Sequence, residues 1–363
     1  MRSSSSARAE RAGVLLLLLA APGCYSTHVA AGQLRILLGR EPIERAIAGE
    51  ARPEARRKLE LVRDVRAFAI ERLGLTETGS YTSVYDTGER PIAWNVSASD
   101  PDAFAPYTWD FPIVGRMPYI GYFDEGRARD EGARLRRHGL DTIVMGVPAY
   151  STLGWFDDPF FTSMLRYDEA TIADIIVHEL AHATVFVDGD AEFNETLATF
   201  IGNKGAEAFF LARGGEADPA LAAAREDARE KALFNGALAD LRETLARVYQ
   251  ASGLREEKLR RKAEEVAAWR QRFAREVRPR LREGAYDHVL DDSVELNNAF
   301  LLAYQRYHGE LDLFEELHRQ LGGDLVATIN ALRRMAEEDD PRAALRERVA
   351  QGRALLAVPG PAR

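Results

Sequence analysis

The stretch that decides the fold is Ile175–Ala183, which reads IIVHELAHA. On a helix, residues four apart share a face, so the imidazoles of His178 and His182 can reach one metal ion. Glu179 follows the first histidine and can act as general base on a water at that metal. Asp168 is predicted to cap the helix, and a buried stripe supports it, made of Ile172, Ile175, Ile176 and Leu180. The alternative is a histidine pair packed in a helical core without metal, which would bury three polar groups at a high cost.

The residues that follow predict a return of the chain alongside this helix. Asp188-Gly189 is a turn signal, and ETLATFIGNKG at 195–205 predicts a second helix that ends at Gly202 or Gly205. The small side chain of Ala198 would let the two helices approach closely. The third ligand of a metal at the histidines is therefore expected on this second helix.

Glu195 is the predicted third ligand, because a catalytic zinc usually takes three protein ligands and leaves one position for water. Glu192 lies three residues earlier on the same face and is the alternative ligand. Asp190 can instead orient a histidine through a hydrogen bond. The prediction is one Zn²⁺ ion.

The amino-acid composition excludes several classes of protein. With 46% hydrophobic residues in 363, the chain can bury a sizeable core, which excludes disorder as its main state. Forty-eight Lys and Arg against 57 Asp and Glu give a net charge of −9, which argues against nucleic acid as a partner. A single cysteine excludes an internal disulfide and a thiolate metal cluster.

The N-terminus has the pattern of an export signal. A basic start is followed by the apolar run Val14–Ala21, which is far shorter than the roughly 20 residues of a membrane span. Cys24 comes directly after this run, so residues 1–23 are predicted to be a lipoprotein signal peptide and Cys24 the lipidated residue. Ordinary cleavage nearby, with Cys24 an incidental thiol, is the alternative. We expect an exported envelope lipoprotein that faces the periplasm, and Tyr25 after the cysteine favours the outer membrane.

Periodicity predicts an α+β fold that is mainly α-helical. Helices are expected over 30–75, and short strands and turns over 79–165 around a helix at 125–138. From about residue 168 the pattern is almost all helical, and Ala251-Ser252-Gly253 separates two long segments into an antiparallel hairpin. In chain order, the predicted parts are N-terminal helices with a small mixed sheet layer at 24–165, a zincin-like helical catalytic region at 166–335 with the hairpin at about 205–285, and a peripheral C-terminal tail at 336–363.

The chain resembles a bacterial family of zinc aminopeptidases, many of them lipoproteins, with an HExxH…NExxA motif. The likeness covers most of residues 23–335. It rests on HELAHATVFVDGDAEFNETLATFIGNKG at 178–205 and on shorter stretches, which are Gly79-Ser80-Tyr81, Ala93–Val96, Ala149–Pro159, Leu296–Ala299 and Tyr307-His308. The resemblance implies a metallopeptidase of the HExxH-plus-glutamate kind, with zinc held by His178, His182 and Glu195.

Peptide hydrolysis also needs residues that stabilise the oxyanion and residues that bind the substrate. Tyr307 and His308, with His288 behind them, are candidates for the donor that stabilises the oxyanion of amide hydrolysis. The segment that contains Tyr150, Gly154 and Trp155 is a candidate substrate strand, and its alternative role is an internal strand of the sheet. The free α-amino group that an aminopeptidase must bind could pair with acidic residues, namely Glu192, Asp157 or Asp158.

The predicted activity is zinc-dependent peptide hydrolysis, in which Glu179 activates the attacking water and later protonates the leaving amine. The expected partners are a peptide or protein substrate, and a membrane through the N-terminal lipid. Two alternatives stay open at this point. One is an envelope endopeptidase of the same zinc class, and the other is a non-catalytic envelope interaction lipoprotein in which zinc is a structural clamp.

Overall fold

A computed structural model describes residues 24–111, 115–147, 157–291, 294–308 and 310–357. The predicted signal peptide, 1–23, lies outside these residues. Cys24 opens the first helix, but its side chain is not among those described. Within the described ranges, none of the helices combines the length and the apolar character that a bilayer crossing requires.

The fold is mainly helical, as predicted. Twelve α-helices occur in the described residues. They are α1 (Cys24–Gly39), α2 (Ile43–Gly49), α3 (Pro53–Glu71), α4 (Glu125–Arg137), α5 (Glu169–His182), α6 (Ala191–Gly214), α7 (Pro219–Gln250), α8 (Arg255–Arg272), α9 (Asn298–His308), α10 (Leu311–Gln320), α11 (Leu325–Met335) and α12 (Pro341–Ala357).

The predicted sheet layer is divided into three small sheets. The strands are β1 (Glu41–Pro42), β2 (Ser83–Tyr85), β3 (Ala93–Ser99), β4 (Trp109–Phe111), β5 (Gly115–Met117), β6 (Ile120–Tyr122), β7 (Asp141–Val147) and β8 (Phe160–Phe161). One sheet is mixed, because β2 pairs antiparallel with β1 and parallel with β8. The second has the antiparallel order β6-β3-β7, and β4 and β5 form a hairpin of their own.

Helices α5 and α6 form the centre of the larger core. Asp168 accepts a hydrogen bond from the Thr171 backbone N–H and so caps α5, as the sequence predicted. The apolar side chains of the two helices are buried together with those of α3 and β8. The helix that carries Glu195 is therefore held against the helix that carries both histidines.

The predicted end of α6 at Gly202 or Gly205 is wrong, because the helix continues to Gly214. Both glycines instead lie on the face that meets α5. A β-carbon on Gly205 would come within 2.6 Å of Val177 Cγ1, so the absence of a side chain allows the close helix contact.

The antiparallel hairpin is present as α7 and α8, with the break at Ser252-Gly253. Its facing sides and α9 enclose a second core, in which Phe234, Trp269 and Phe273 are almost fully buried. Trp269 Nε1 donates to the Ala237 carbonyl oxygen at 2.7 Å, which satisfies its only polar atom.

The C-terminal helix is packed more closely than the predicted peripheral tail. Leu345 and Val349 of α12 are 1% and 2% exposed and belong to the larger core. Arg342 of the same helix forms two hydrogen bonds with the Asp190 carboxylate, of 2.6 and 2.8 Å. Asp190 is the N-cap residue of α6, so its pair with Arg342 holds α12 against the start of α6.

Candidate metal centre

Three of the predicted ligands meet where α5 and α6 face each other. His178 Nε2 and His182 Nε2 lie 3.2 Å apart. Glu195 Oε2 lies 3.4 Å from the first nitrogen and 3.7 Å from the second. Among the described residues, these three form the group of His, Cys, Asp and Glu side chains whose ligand atoms are close enough to share a metal ion.

The size of this triangle fits a tetrahedral metal. With metal–ligand bonds of about 2.0–2.1 Å, two tetrahedral ligand atoms lie about 3.3 Å apart. The three observed separations, 3.2, 3.4 and 3.7 Å, bracket that value. Two imidazole nitrogens and one carboxylate oxygen are also the donor set that a catalytic zinc uses. The residues present therefore fit such an ion.

Glu179 lies beside this triangle without taking part in it. Its Oε2 atom is buried and has no hydrogen-bond partner among the described residues. His182 Nδ1 is likewise buried and has no hydrogen-bond partner among the described residues. Burying a carboxylate oxygen without a hydrogen-bond donor costs free energy. Packing alone therefore does not explain why a glutamate stands at this position.

The ligand side chains alter one another's proton affinity. Burial would raise the pKa of Glu195, but hydrogen bonds with His178 and His182 hold it well below its usual value. Burial would lower the pKa of His178, but the hydrogen bond with Glu195 and the charge of Glu179 raise it overall. Without metal, this arrangement therefore favours a protonated imidazole beside an ionised carboxylate.

A charge pair behind the first histidine, which no local sequence pattern indicates, links the hairpin to the helix of the candidate metal centre. Lys231 Nζ of α7 lies 2.9 Å from Asp174 Oδ2, one helical turn before His178 on α5. The Asp174 charge is the largest cause that raises the pKa of Lys231. Asp174 Oδ1 is buried and has no hydrogen-bond partner within the described part of the chain.

The rival ligand Glu192 is engaged elsewhere. Its Oε1 accepts a hydrogen bond from Gln305 Nε2 at 3.2 Å, and its Oε2 lies 3.8 Å from Arg342. Asp190, the candidate for orienting a histidine, instead caps α6 through the Phe193 backbone N–H and binds Arg342. Neither acid belongs to the triangle of ligand atoms.

Tyr81 is a buried tyrosine to which the sequence assigned no role. Tyr81 is 3% exposed, and its pKa is raised well above the usual value by burial and by the charges of Glu179 and Asp158. The signal was present in the stretch Gly79-Ser80-Tyr81 of the family resemblance. A stretch alone could not show that this loop lies beside the HExxH helix, about 100 residues away.

The remaining candidates have different outcomes. Tyr150, Gly154 and Trp155 lie outside the described residues. Tyr307 and His308 end helix α9, but their side chains also lie outside the described part. His288 stands near the rings of Phe234 and Tyr286, in the second core. Its surroundings are therefore those of a residue packed against the second core.

Comparison with known proteins places the chain in a family. No curated protein sequence and no solved structure matches it. Residues 24–346 match the family described as "Putative aminopeptidase", and the match contains both histidines, Glu179 and Glu195. Because the match spans most of the 363 residues, the chain belongs to this family of peptidases.

Proposed function

We propose that this protein is a zinc-dependent metallopeptidase, and specifically an aminopeptidase, with His178, His182 and Glu195 as its metal ligands. One observation carries the proposal. Three ligand atoms form a triangle of tetrahedral size, and the neighbouring Glu179 has a buried carboxylate oxygen without a hydrogen-bond partner in the ranges that the structure describes. A zinc ion bound there would lower the pKa of a water molecule and polarise the substrate carbonyl.

In the proposed reaction, Glu179 first accepts and then donates a proton. Its carboxylate accepts a proton from the water that attacks the peptide carbonyl. The same carboxyl group then gives that proton to the nitrogen of the leaving amine, so that the C–N bond breaks without a charged amide anion. General acid–base catalysis of this kind contributes about 10²–10⁴-fold to a rate.

A purely structural metal is a weaker explanation of the same residues. Structural zinc sites fill all four positions with protein ligands, and this group has three. A structural clamp also has no use for an unpaired carboxylate next to the ligands. Glu179 therefore favours catalysis over a non-catalytic interaction protein.

The test compares the wild type with Glu179→Gln on free and N-acetylated peptides, with zinc content measured in both. We expect equal zinc in both proteins, cleavage at least about 100-fold slower in the variant, and no cleavage of acetylated peptides. Cleavage of acetylated peptides would identify an endopeptidase instead. Equal zinc without cleavage by either protein would favour the non-catalytic alternative, and zinc in neither would refute the site.

We also propose that the protein is anchored in the cell envelope by a lipid on Cys24. The support is the short apolar run before this cysteine, together with a family match that begins at residue 24. Replacing Cys24 with Ala should move the protein from the membrane fraction to the soluble fraction. Mass spectrometry of the wild-type N-terminus should detect the acyl chains, and an unmodified thiol would contradict the anchor.

A further inference from the structure

Arg342 of the C-terminal helix α12 joins the starts of two other helices. Its guanidinium donates to both carboxylate oxygens of Asp190, the N-cap residue of α6, at 2.6 and 2.8 Å. Its Nη1 donates to Glu310 Oε2 at 2.9 Å, and Glu310 is the residue before α10. Two parallel hydrogen bonds from a planar guanidinium fix the orientation of a carboxylate as well as its distance.

The Asp190 carboxylate binds Arg342 and caps α6 at the same time. Asp190 Oδ1, which accepts from Arg342, also accepts from the Phe193 backbone N–H at 3.0 Å. Burial would raise the pKa of Asp190, but the hydrogen bonds with Arg342 and with the Phe193 backbone lower it overall. The guanidinium of Arg342 also lies over the Phe193 ring, 5.9 Å from its centre. The first turn of α6 is therefore held by a residue 152 positions later in the chain.

A second set of contacts leads from this cap to Glu195. Asn194, which precedes the proposed ligand, is 3% exposed. Its Oδ1 accepts from the Val187 backbone N–H at 2.8 Å, and its Nδ2 donates to the Val187 carbonyl oxygen at 2.7 Å. The Asn194 backbone N–H donates to the Asp190 carbonyl oxygen at 3.1 Å. Because Val187 lies in the loop between α5 and α6, these bonds fix the path of the chain from His182 to Glu195.

The triangle of ligand atoms tolerates little displacement of Glu195. Its Oε2 lies 3.4 Å from His178 Nε2 and 3.7 Å from His182 Nε2, and metal–ligand distances vary by only about 0.2 Å. Glu195 stands five residues after the Asp190 cap, and helices fray from their ends when the terminal N–H groups lose their partners. Disorder at the start of α6 would therefore move the carboxylate away from the histidines.

We propose that Arg342 is a positioning residue of the metal centre: it orients the Asp190 cap and so holds Glu195 in the triangle with the two histidines. The inference rests on the proposed function, because it concerns the ligands named there. In this role Arg342 acts through Asp190 and binds neither the metal nor the substrate.

The test is the zinc affinity of Arg342→Met, measured by competition with a chelator, with Arg346→Met as the matched control. Within the described residues, Arg346 forms its salt bridge with Glu310, one helical turn after Arg342 on α12. Its loss removes an ion pair from the same helix and leaves the cap of α6 intact. We expect zinc binding about tenfold weaker in Arg342→Met, the lower end of the range for a residue that supports a ligand, and wild-type affinity in the control.

A second readout reports the geometry of the ligands and not the stability of the fold. Cobalt(II) in the zinc site gives a visible absorption spectrum that depends on the number and arrangement of its ligands. Arg342→Met should change this spectrum at saturating cobalt, because Glu195 is displaced. Arg342→Lys keeps the charge but lacks the planar pair of donors, so its spectrum and zinc affinity should lie between those of Arg342→Met and the wild type. Melting curves of the metal-free variants show that each is folded.

A double-mutant cycle tests whether Arg342 acts through Asp190. Asp190→Asn keeps a side chain that caps helices well but loses the charge that Arg342 binds. It should weaken zinc binding about as much as Arg342→Met. The double variant should be no weaker than either single variant, because both substitutions remove the same ion pair.

Four outcomes would overturn the role of Arg342. Wild-type zinc affinity and cobalt spectrum in Arg342→Met, while Glu195→Gln loses zinc, would leave the proposed function standing and make Arg342 a support of the fold alone. Equal losses of zinc affinity in Arg342→Met and Arg346→Met would assign the effect to the docking of α12 in general. Additive losses in the cycle would exclude the route through Asp190. A wild type that binds no zinc would refute the proposed ligands and this inference together.

Discussion

Gly202 of α6 lies so close to Asp174 of α5 that a β-carbon on the glycine would come within 2.6 Å of Asp174 Oδ1 and 2.9 Å of the Asp174 carbonyl oxygen. The same atom would lie 3.1 Å from His178 Cβ. This contact sets the separation of the two helices that carry the proposed ligands. The spacing between the histidines and Glu195 therefore depends on a residue without a side chain.

The first prediction concerns this contact. Gly202→Ala should destabilise the protein by about 1–3 kcal/mol, since one of the atoms it meets is backbone and cannot move aside. It should also weaken zinc binding, because the added methyl group pushes Glu195 away from His178. Chemical denaturation and zinc titration measure the two effects.

Gly236→Ala is the matched control for Gly202→Ala. Gly236 lies within the long helix α7, and a β-carbon there meets nothing within 4 Å. Alanine at this position should stabilise the protein by about 0.5–1 kcal/mol, because it lowers the entropy of the unfolded chain and favours helix. Equal effects of the two substitutions would contradict the importance of the helix contact.

The second prediction separates the two candidate ligands on α6. Glu195→Gln should reduce zinc affinity by more than about 100-fold, which is the upper range for loss of a residue that merely supports a ligand. Glu192→Gln should keep its contact with Gln305 and change zinc affinity by only a few fold. Competition with a chelator measures both values, and a larger loss in Glu192→Gln would reverse the assignment.

The third prediction is a pH dependence of the metal-free protein. The raised pKa of His178 adds stability that is present below about 6.5 and is lost as pH rises through the folded pKa. The lowered pKa of Glu195 adds stability that is present above about 4.3 and is lost as pH falls through the folded pKa. Urea unfolding of wild type and Glu195→Gln should therefore differ most between about pH 4.3 and 6.5, and a constant difference would count against the coupling.

The fourth prediction concerns the charge pair behind His178. Lys231→Met leaves the Asp174 carboxylate without its cation, and the cost should be about 1–2 kcal/mol, between the values for exposed and fully buried pairs. Zinc affinity should fall about tenfold, because Asp174 lies one turn from His178 on the same helix. Urea unfolding and chelator competition measure these changes.

Arg247→Met is the control for Lys231→Met, because Arg247 pairs with Glu243 on the exposed side of the same helix. The loss of such a surface pair costs less than about 1 kcal/mol and should leave zinc binding unchanged. If Lys231→Met changed stability and zinc affinity no more than this control, the ion pair between the hairpin and α5 would not support the metal centre.

Local sequence patterns predicted the helices well, because capping and apolar periodicity act within a few residues. The Asp168 cap and the break at Ser252-Gly253 between two long helices are examples. The end of α6 was mispredicted for a physical reason. Glycine was interpreted as a helix stop, whereas Gly202 has a tertiary purpose that local pattern does not reveal.

By itself, the sequence determined that His178 and His182 share a helical face and that Glu179 stands next to them, because a helix repeats every 3.6 residues. It left Glu195 and Glu192 as rival ligands, and it could not indicate the contact of Lys231 with Asp174. The tertiary structure brings Glu195 to the histidines and Lys231 to Asp174, since residues about 15 to 60 positions apart meet through packing and not through spacing along the chain. The distance between two helices depends on the side chains of both, so it is a property of the folded chain alone.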